Sequence, residues 1–449
     1  MIYWLVKPHA FLSLRIFYKF DIRGLEKIPR NVPVVLSPNH TNGFIDPVVL
    51  AMHPPQKVRF FARGDIFKGK FALWILNQLN ISPMYRMQDG FSEVKKNDKS
   101  FEECKQLLTN DKTILIFPEG ICIQERRLQP LKKGLARIVL QTSESFDFSK
   151  DIIVIPVGLN YPNAKQFRSK LFIEIGDPVS VKAYESAYKQ DKVRAINDFT
   201  KMLEVEMAKY TIIIKNPSND NLVAGIEEIL LNKWIKDKNQ DPEKLSNHYI
   251  ATREIVDMVN YLDEKNQSLI SSLREKIASY TKQLKDNNFR DHLLREESIS
   301  KMNVGTFILE YIIIYLGMPV YFIGLLMNYL PYYLAKKFTQ NKIKKNEFKA
   351  SVYANISLMM WVIFYLMQLT IVGLVFHNWT ILLIYALIVI VLAKYVLSFY
   401  PVMKKIFGRW RLLRMVRKDK ATVQKLINER TVIMTELENA KKEYLSNLK

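Results

Sequence analysis

His40 and Asp46 lie close together where a polar loop meets the start of an apolar run. An imidazole that contacts a carboxylate can act as a general base, because the carboxylate fixes the ring tautomer and stabilises the imidazolium. Asp46 followed by Pro47 predicts a helix start with Asp46 as its cap, which places His40 between a strand end and a helix. Gly43 supplies the turn that brings the two side chains together. By themselves, the two residues also fit a loop histidine and a capping aspartate.

A second polar segment follows the apolar run of residues 113–117, in a Pro-Glu-Gly turn at Glu119 and Gly120. Arg126 and Lys132 come shortly afterwards. A carboxylate at a strand end, beside cations and a glycine, indicates a polar site that suits a phosphate. Turns of this composition are usually structural, so the segment needs its context to be interpreted.

The composition narrows the class of protein. With 449 residues, 49% apolar and 24% charged, the chain is neither a small disulfide scaffold nor a disordered protein. Cys104 and Cys122 are its two cysteines, and neither lies in a Cys-x-x-Cys or Cys/His spacing. We therefore expect no disulfide framework and no zinc site, and a reducing compartment is favoured.

Between residues 28 and 178, short β-branched runs alternate with helical patterns, which predicts an α/β domain. Beyond it, residues 221–302 are polar and helix-forming, and residues 419–449 carry apolar side chains near heptad spacing. The predicted strands are residues 32–36, 57–62, 113–117, 151–159 and 171–175, and the predicted helices are residues 48–52, 69–79, 92–109 and 131–142.

The net charge of +22 is concentrated in the most hydrophobic third of the chain, where residues 301–449 hold 21 basic and 7 acidic side chains. Residues 352–376 are uncharged and residues 380–400 contain only Lys394, so each run can cross a bilayer, which takes about 20 residues. Basic charge beside apolar spans is typical of membrane proteins. It also argues against a nucleic-acid-binding protein, which would otherwise explain the charge.

Two further segments have a less regular apolar pattern. Residues 304–334 would span about 46 Å as one helix, against a hydrocarbon core of about 30 Å. Gly317 and Pro319 predict a break there, giving a re-entrant or interfacial helix pair. Residues 1–22 alternate aromatic and basic side chains at helical spacing, which favours a helix in the membrane surface over a core helix.

The predicted organisation follows from these segments. The positive-inside rule places the basic clusters at residues 335–350 and 404–420 in the cytoplasm, so we expect a multi-pass membrane protein whose α/β domain faces the cytoplasm. The predicted parts are an interfacial helix at residues 1–22, the α/β domain at residues 23–220, a helical insert or arm at residues 221–302, a membrane region at residues 303–403 and a basic segment with a C-terminal helix at residues 404–449.

Taken in order, four segments resemble the four sequence blocks of the glycerophospholipid acyltransferases, which include glycerol-3-phosphate and 1-acylglycerol-3-phosphate acyltransferases. The resemblance covers residues 24–181, and the matching segments are residues 39–46, Arg86, residues 117–120 and residues 154–158. It implies an α/β acyltransferase domain, followed here by the helical arm and a C-terminal α-helical membrane domain. The implied reaction moves a fatty acyl group from acyl-CoA or acyl carrier protein to a hydroxyl of a phosphorylated glycerol in phospholipid synthesis.

The resemblance also implies a role for each candidate residue. His40 is the base and Asp46 orients it, while Glu119 binds a hydroxyl of the acceptor. Arg86, Arg126 and Lys132 are candidates for holding the acceptor phosphate, and the backbone N–H near Gly120 is a candidate oxyanion donor. A phospholipid membrane is the expected partner. Neither a metal nor a redox cofactor is implied.

Three departures from the family pattern stand out. Five residues, not four, separate His40 from Asp46, which resembles the glycerol-3-phosphate acyltransferase-like branch. Asn80 stands where a glycine is usual, and Cys122 replaces an arginine, whose place Arg126 would take. These departures keep one alternative open, a catalytically silent homologue that acts as a membrane scaffold or lipid-binding protein. The joint presence of the candidate residues argues against it.

Overall fold

A computed structural model describes residues 2–43, 45–54, 56–64, 67, 69–85, 97–164, 169–295, 304–343 and 346–447. The chain divides into two compact units. The first comprises Met1–Ile213 with Ile343–Asn355, and the second comprises Ile214–Lys342 with Ile356–Lys449.

The first unit is built on a largely parallel sheet. In the described residues its strand order is β1-β7-β6-β2-β5-β3-β4, with β8 paired to β6. Antiparallel pairing is confined to β6 with β7 and β6 with β8. The strands are β1 (Tyr18–Arg23), β2 (Val34–Pro38), β3 (Val58–Arg63), β4 (Ile81–Met84), β5 (Thr113–Leu115), β6 (Ile153–Asn160), β7 (Ser169–Ile175) and β8 (Val179–Ser180).

Helices cover both faces of this sheet. Along β2, Val34 and Leu36 belong to one core cluster and Val35 to the other, because successive side chains of a strand point to opposite faces. The helices of this unit are α1 (Ile2–Phe17), α2 (Ile45–Met52), α3 (Lys70–Gln78), α4 (Asn97–Thr109), α5 (Gly134–Ser145), α6 (Glu185–Gln190) and α7 (Lys192–Tyr210).

The predicted α/β domain is confirmed, and each predicted strand overlaps an observed one. The helix predicted at residues 1–22 ends at Phe17, and the strand β1 that follows was not predicted. The charged residues Lys19, Asp21 and Arg23 give this segment no apolar pattern that would indicate a strand. β1 is an edge strand that pairs with β7 through its backbone, so it does not need such a pattern. Asn80 has φ 60°, a left-handed conformation that glycine and asparagine tolerate best, which explains the substitution noted above.

Side chains of α1 contribute to the core of the first unit. Leu14 and Phe17 are buried, as a core helix requires, whereas Leu12 is exposed. Phe17 meets Tyr353 edge-on, with ring centroids 5.5 Å apart, and Ala354 is fully buried in the same core cluster. The first turns of the helix that contains Tyr353 therefore pack as part of the α/β unit.

The second unit contains a bundle formed by α8 (Asp220–Asp237), α9 (Leu245–Lys265), α10 (Gln267–Asp286) and α14 (Lys420–Ser446). Leu426 and Leu437 of α14 are fully buried, and Lys276 pairs with Glu436 at 2.5 Å. The fully buried Asp291 accepts hydrogen bonds from Tyr280, Arg295 and Arg430. The described part of the predicted arm, residues 221–295, therefore packs with the C-terminal helix, although the sequence alone presented them as separate segments.

The other helices of this unit are α11 (Val304–Lys342), α12 (Asn346–Phe376) and α13 (Trp379–Lys418), although α12 begins in the first unit. The predicted break near Gly317 and Pro319 is wrong, because α11 is continuous. Its neighbour α13 approaches so closely that a Cβ atom at Gly317 would lie 2.4 Å from Phe399. Packing against a neighbouring helix is what allows proline inside a membrane helix.

The candidate membrane spans are Gly305–Lys342, Val352–Phe376 and Trp379–Lys418, each long and apolar enough to cross a bilayer. Asn378 in the turn between the last two caps α13, because its side chain accepts hydrogen bonds from the backbone of Thr380 and Ile381. These helices agree with the predicted membrane association.

Candidate active site

Three adjacent strands bring the candidate site together. β6, β2 and β5 are neighbours and run parallel, so their carboxyl ends meet at one edge of the sheet. His40 follows β2, Glu119 follows β5 and Tyr161 follows β6. The backbone N–H of His40 thereby contacts the Glu119 side chain, 79 residues away in the chain, and the Tyr161 side chain contacts Asp46, 115 residues away.

The predicted pair of His40 and Asp46 is formed. His40 Nδ1 lies 3.0 Å from Asp46 Oδ2, and the Asp46 side chain is completely buried. The same oxygen accepts hydrogen bonds from the backbone N–H of Thr41 at 2.8 Å and of Asn42 at 2.6 Å. Asp46 was predicted to cap this helix, but α2 begins one residue earlier, at Ile45. Asp46 therefore lies in the first turn of α2, and its side chain binds the backbone of the turn that precedes the helix.

The His40 ring is held in one orientation. It stacks on Phe117 with ring centroids 3.9 Å apart, and its side chain is 16% exposed. Because Nδ1 faces Asp46, Nε2 is the ring nitrogen available to a substrate. Two hydrogen bonds also hold the backbone of His40. Its N–H donates to Glu119 Oε1 at 3.2 Å, and its carbonyl accepts from the Ile123 N–H at 3.1 Å.

Asn39 fastens the His40 loop to strand β6. Its Oδ1 accepts from the Leu159 N–H at 2.6 Å, and its Nδ2 donates to the Leu159 carbonyl at 3.1 Å. The side chain thus continues the pairing of β2 and β6 for one residue beyond the end of β2. The position of His40 follows from this clamp.

Two buried tyrosines complete the surroundings of Asp46. The Tyr161 hydroxyl donates to Asp46 Oδ1 at 2.7 Å. The Tyr18 hydroxyl donates to the Ala164 carbonyl at 2.9 Å and accepts from Asn42 Nδ2 at 3.1 Å. The two rings meet edge-on with centroids 5.8 Å apart. Local sequence patterns do not indicate these contacts, because they join segments far apart in the chain.

Glu119 is a buried carboxyl group beside His40. It is 2% exposed, and burial raises its pKa from 4.5 to about 8, although hydrogen bonds from the backbone of His40 and Gln129 oppose that rise. Near neutral pH the group is therefore mainly protonated and can donate a hydrogen bond as well as accept one. This combination suits the recognition of a hydroxyl group.

The other predicted site residues lie in the loop after β5, with one exception. Gly120 has φ 66°. Its N–H, the candidate oxyanion donor, donates a hydrogen bond to the Phe117 carbonyl at 3.2 Å within the turn. The Lys132 side chain lies beside Gly120, since a Cβ atom there would be 3.4 Å from Lys132 Cγ. Arg126 Nη2 donates to the Pro162 carbonyl at 2.9 Å, next to Tyr161. Arg86 lies outside the described residues.

The first part of the chain is similar to known acyltransferases. Residues 19–160 match the family model described as Acyltransferase. A chloroplastic 1-acyl-sn-glycerol-3-phosphate acyltransferase of Brassica napus is 31% identical over 141 residues, which is 31% of this chain and 39% of that protein. Glycerol-3-phosphate O-acyltransferase 1 of Saccharomyces cerevisiae is 24% identical over 290 residues, which is 62% of this chain and 36% of that protein.

Among solved structures, the crystal structure of a 1-acyl-sn-glycerophosphate acyltransferase from Thermotoga maritima is similar at 19% sequence identity, with a TM-score of 0.32. The match covers 46% of this chain and 80% of that one. The chain spans less than half the length of the two relatives above. The similarity to acyltransferases is thus established for residues 19–160, the part of the chain that the family model matches.

Proposed function

We propose that the protein is a membrane-bound O-acyltransferase. It transfers a fatty acyl group from acyl-CoA or acyl carrier protein to a hydroxyl of glycerol-3-phosphate or 1-acylglycerol-3-phosphate. The observation that carries the proposal is the His40–Asp46 pair, whose atoms lie 3.0 Å apart at the carboxyl edge of an acyltransferase-family sheet. The names of the relatives support a phosphorylated glycerol as the acceptor.

In the proposed reaction, His40 Nε2 takes the proton of the acceptor hydroxyl as the oxygen attacks the thioester carbonyl. The carbon–oxygen bond forms, and the tetrahedral intermediate then collapses with cleavage of the carbon–sulfur bond. The departing sulfur takes the proton back from His40. Asp46 stabilises the imidazolium between these steps. The acceptor supplies the nucleophile, so no serine nucleophile is needed.

The acceptor is held by the remaining candidate residues. Glu119 exchanges hydrogen bonds with a hydroxyl of the glycerol, while Arg126, Lys132 and Arg86 hold the phosphate. Arg126 supports this role because it lies beside Tyr161 and hence on the same edge of the sheet as His40. We expect the reaction to need neither a metal nor a redox cofactor.

The test is acyl transfer by the full chain in lipid nanodiscs. Labelled acyl-CoA and acyl carrier protein are combined with glycerol-3-phosphate, dihydroxyacetone phosphate and lysophosphatidate. His40→Ala should lower the rate by roughly 10²- to 10⁴-fold, the usual contribution of general acid–base catalysis. His377→Ala, in the exposed turn before α13, is the matched control and should retain the parent rate.

Activity of His40→Ala within twofold of the parent would remove His40 from the mechanism. If no donor and acceptor pair gives transfer above the His40→Ala background, the alternative of a silent lipid-binding homologue is favoured instead.

A further inference from the structure

Asp46 is surrounded by hydrogen-bond donors on both of its oxygens. Oδ2 receives His40 Nδ1 and the backbone N–H groups of Thr41 and Asn42. Oδ1 receives the hydroxyl of Tyr161 at 2.7 Å. The tyrosine reaches it from the end of strand β6, whereas the other three donors come from the loop that carries His40.

We propose that Tyr161 is a positioning residue for catalysis, which holds Asp46 in the orientation and charge state that His40 requires. This inference rests on the proposed function, since it assigns a role within the same reaction. Tyr161 acts through Asp46 and need not touch the substrate.

The physical argument begins with the burial of Asp46. A fully buried carboxylate is stable only when its oxygens accept hydrogen bonds, and a hydrogen bond to a charged group is stronger than one between neutral groups. Donors on both oxygens also stop the carboxylate from rotating. Without the Tyr161 hydroxyl, the negative charge on Asp46 would be less well stabilised and would attract the imidazolium more strongly. His40 would then hold its proton to higher pH and lose orientation.

The Tyr161 hydroxyl keeps its proton throughout the working range. Complete burial, and then the negative charge of Asp46, raise its pKa well above the usual value. Among the described residues, the charged Arg126 lies beside Tyr161, and the titratable groups around the pair include Glu119 and Cys122 from the loop after β5 and Tyr18 from β1. Substitution of Tyr161 by phenylalanine leaves all three of these groups in place.

Tyr18 provides a matched control within the same cluster. Its ring packs edge-on against that of Tyr161, and its hydroxyl is also buried and hydrogen-bonded. That hydroxyl is hydrogen-bonded to Asn42 and Ala164 rather than to Asp46. Tyr161→Phe and Tyr18→Phe therefore each remove one buried hydroxyl, but only the first removes a donor to Asp46.

The experiment measures kcat, the KM of each substrate and the pH dependence of kcat/KM for the parent and both variants in nanodiscs. Tyr161→Phe should lower kcat by about tenfold and leave the KM values within about twofold, the effect expected when a hydrogen bond to a charged group is lost. In the pH profile of kcat/KM, the acid limb of Tyr161→Phe should lie about half a pH unit to one unit higher than that of the parent. Tyr18→Phe should leave the acid limb where it is in the parent.

A second measurement does not depend on activity. Diethyl pyrocarbonate reacts with neutral imidazole, so the labelling rate of the His40 peptide, followed by mass spectrometry across pH, reports when that ring loses its proton. The midpoint should rise by the same amount in Tyr161→Phe and stay unchanged in Tyr18→Phe. His377, exposed in the turn before α13, serves as the internal standard.

If the phenylalanine variant does not fold, Tyr161 is replaced instead by 3-fluorotyrosine at that single site. It keeps the shape of the side chain but is a stronger donor, so the labelling midpoint of His40 should fall. An unmoved midpoint in both Tyr161 replacements, or equal shifts in the Tyr161 and Tyr18 variants, would overturn the inference. An inactive parent with the expected labelling shifts would refute the proposed function and leave the positioning of His40 established.

Discussion

Two buried carboxyl groups flank His40, and their surroundings fit them for different tasks. Asp46 accepts four hydrogen bonds, which compensate a negative charge. Glu119 accepts a hydrogen bond from the backbone N–H of His40, and burial raises its pKa to about 8. Two carboxyl groups held in such different surroundings commonly divide the roles in an active site. The arrangement supports charge stabilisation by Asp46 and hydroxyl recognition by Glu119.

The raised pKa of Glu119 predicts a pH dependence of stability. Between about pH 4.5 and pH 8 the folded protein binds this proton and the unfolded chain does not, so the free energy of unfolding falls as pH rises through that range. In Glu119→Gln, we expect the free energy of unfolding to fall by roughly 1–4 kcal/mol less than in the parent over this pH range. The measurement is the melting temperature of parent and variant from pH 5 to pH 8.5.

Glu125→Gln is the control for that experiment, because Glu125 lies in the same loop but is largely exposed and pairs with Arg127. It should show the pH dependence of the parent. A Glu119→Gln variant that loses stability with pH as steeply as the parent would mean that Glu119 is ionised in the folded protein.

Arg126 and Arg127 test how the acceptor is held. Arg126 contacts the Pro162 carbonyl beside Tyr161, whereas Arg127 pairs with Glu125 at 3.1 Å. Arg126→Lys keeps the charge but loses the planar fork that binds phosphate, so it should raise the KM of the acceptor about tenfold and that of the acyl donor less. Arg127→Lys should change neither KM by more than about twofold. Equal effects on both substrates would make Arg126 structural.

At the scale of the elements, glycines set how closely α11 packs against α13. A Cβ atom at Gly324 would lie 2.8 Å from Val396 and 3.1 Å from the Leu392 carbonyl, and Gly317 is equally confined. The Tyr395 hydroxyl donates to the Gly317 carbonyl at 3.2 Å. Small residues allow this approach between membrane helices, where packing rather than the hydrophobic effect drives association.

Gly317→Leu should therefore destabilise the protein by about 1–3 kcal/mol, the usual cost of forcing extra volume into a packed contact. Gly373→Leu in α12 is the matched control, because Leu382 at 4.0 Å is the nearest atom to a Cβ there. The measurement is thermal unfolding in detergent. A melting temperature of Gly317→Leu no lower than that of Gly373→Leu would show that the helices are not held by this contact.

At the scale of the whole molecule, the start of α12 constrains the membrane topology. Tyr353 and Ala354 pack in the core of the α/β unit, so we expect this end of α12 to lie on the same side of the membrane as that unit. Among the described residues between 24 and 295, no helix is long and apolar enough to cross a membrane. We therefore expect α11 to begin and end on one side of the membrane, although it is unbroken over about 58 Å.

Single cysteines test this topology. They are placed at Lys344, Asn378 and Arg417 in a chain free of Cys104 and Cys122, and intact cells are treated with an impermeant thiol reagent. Only the Asn378 position should react from outside, because the positive-inside rule keeps both basic clusters in the cytoplasm. Labelling at Lys344 would show instead that α11 crosses the membrane once.

The sequence by itself determined the α/β alternation, the apolar spans and the pairing of His40 with Asp46. These features depend on local patterns, because burial selects residue types at the period of a strand or helix and because six positions joined by a turn can meet. Spacing within one loop allowed the two side chains to meet, and the resemblance to the acyltransferase sequence blocks favoured that contact, now seen at 3.0 Å, over a loop histidine and a capping aspartate.

Only the tertiary structure decided what surrounds that pair. The Asn39 clamp, the stacking of Phe117 on His40 and the contact of Tyr161 with Asp46 depend on the order β6-β2-β5, which no local pattern encodes. The continuity of α11 was decided in the same way. Gly317 and Pro319 weaken an isolated helix, but packing against α13 outweighs that local preference.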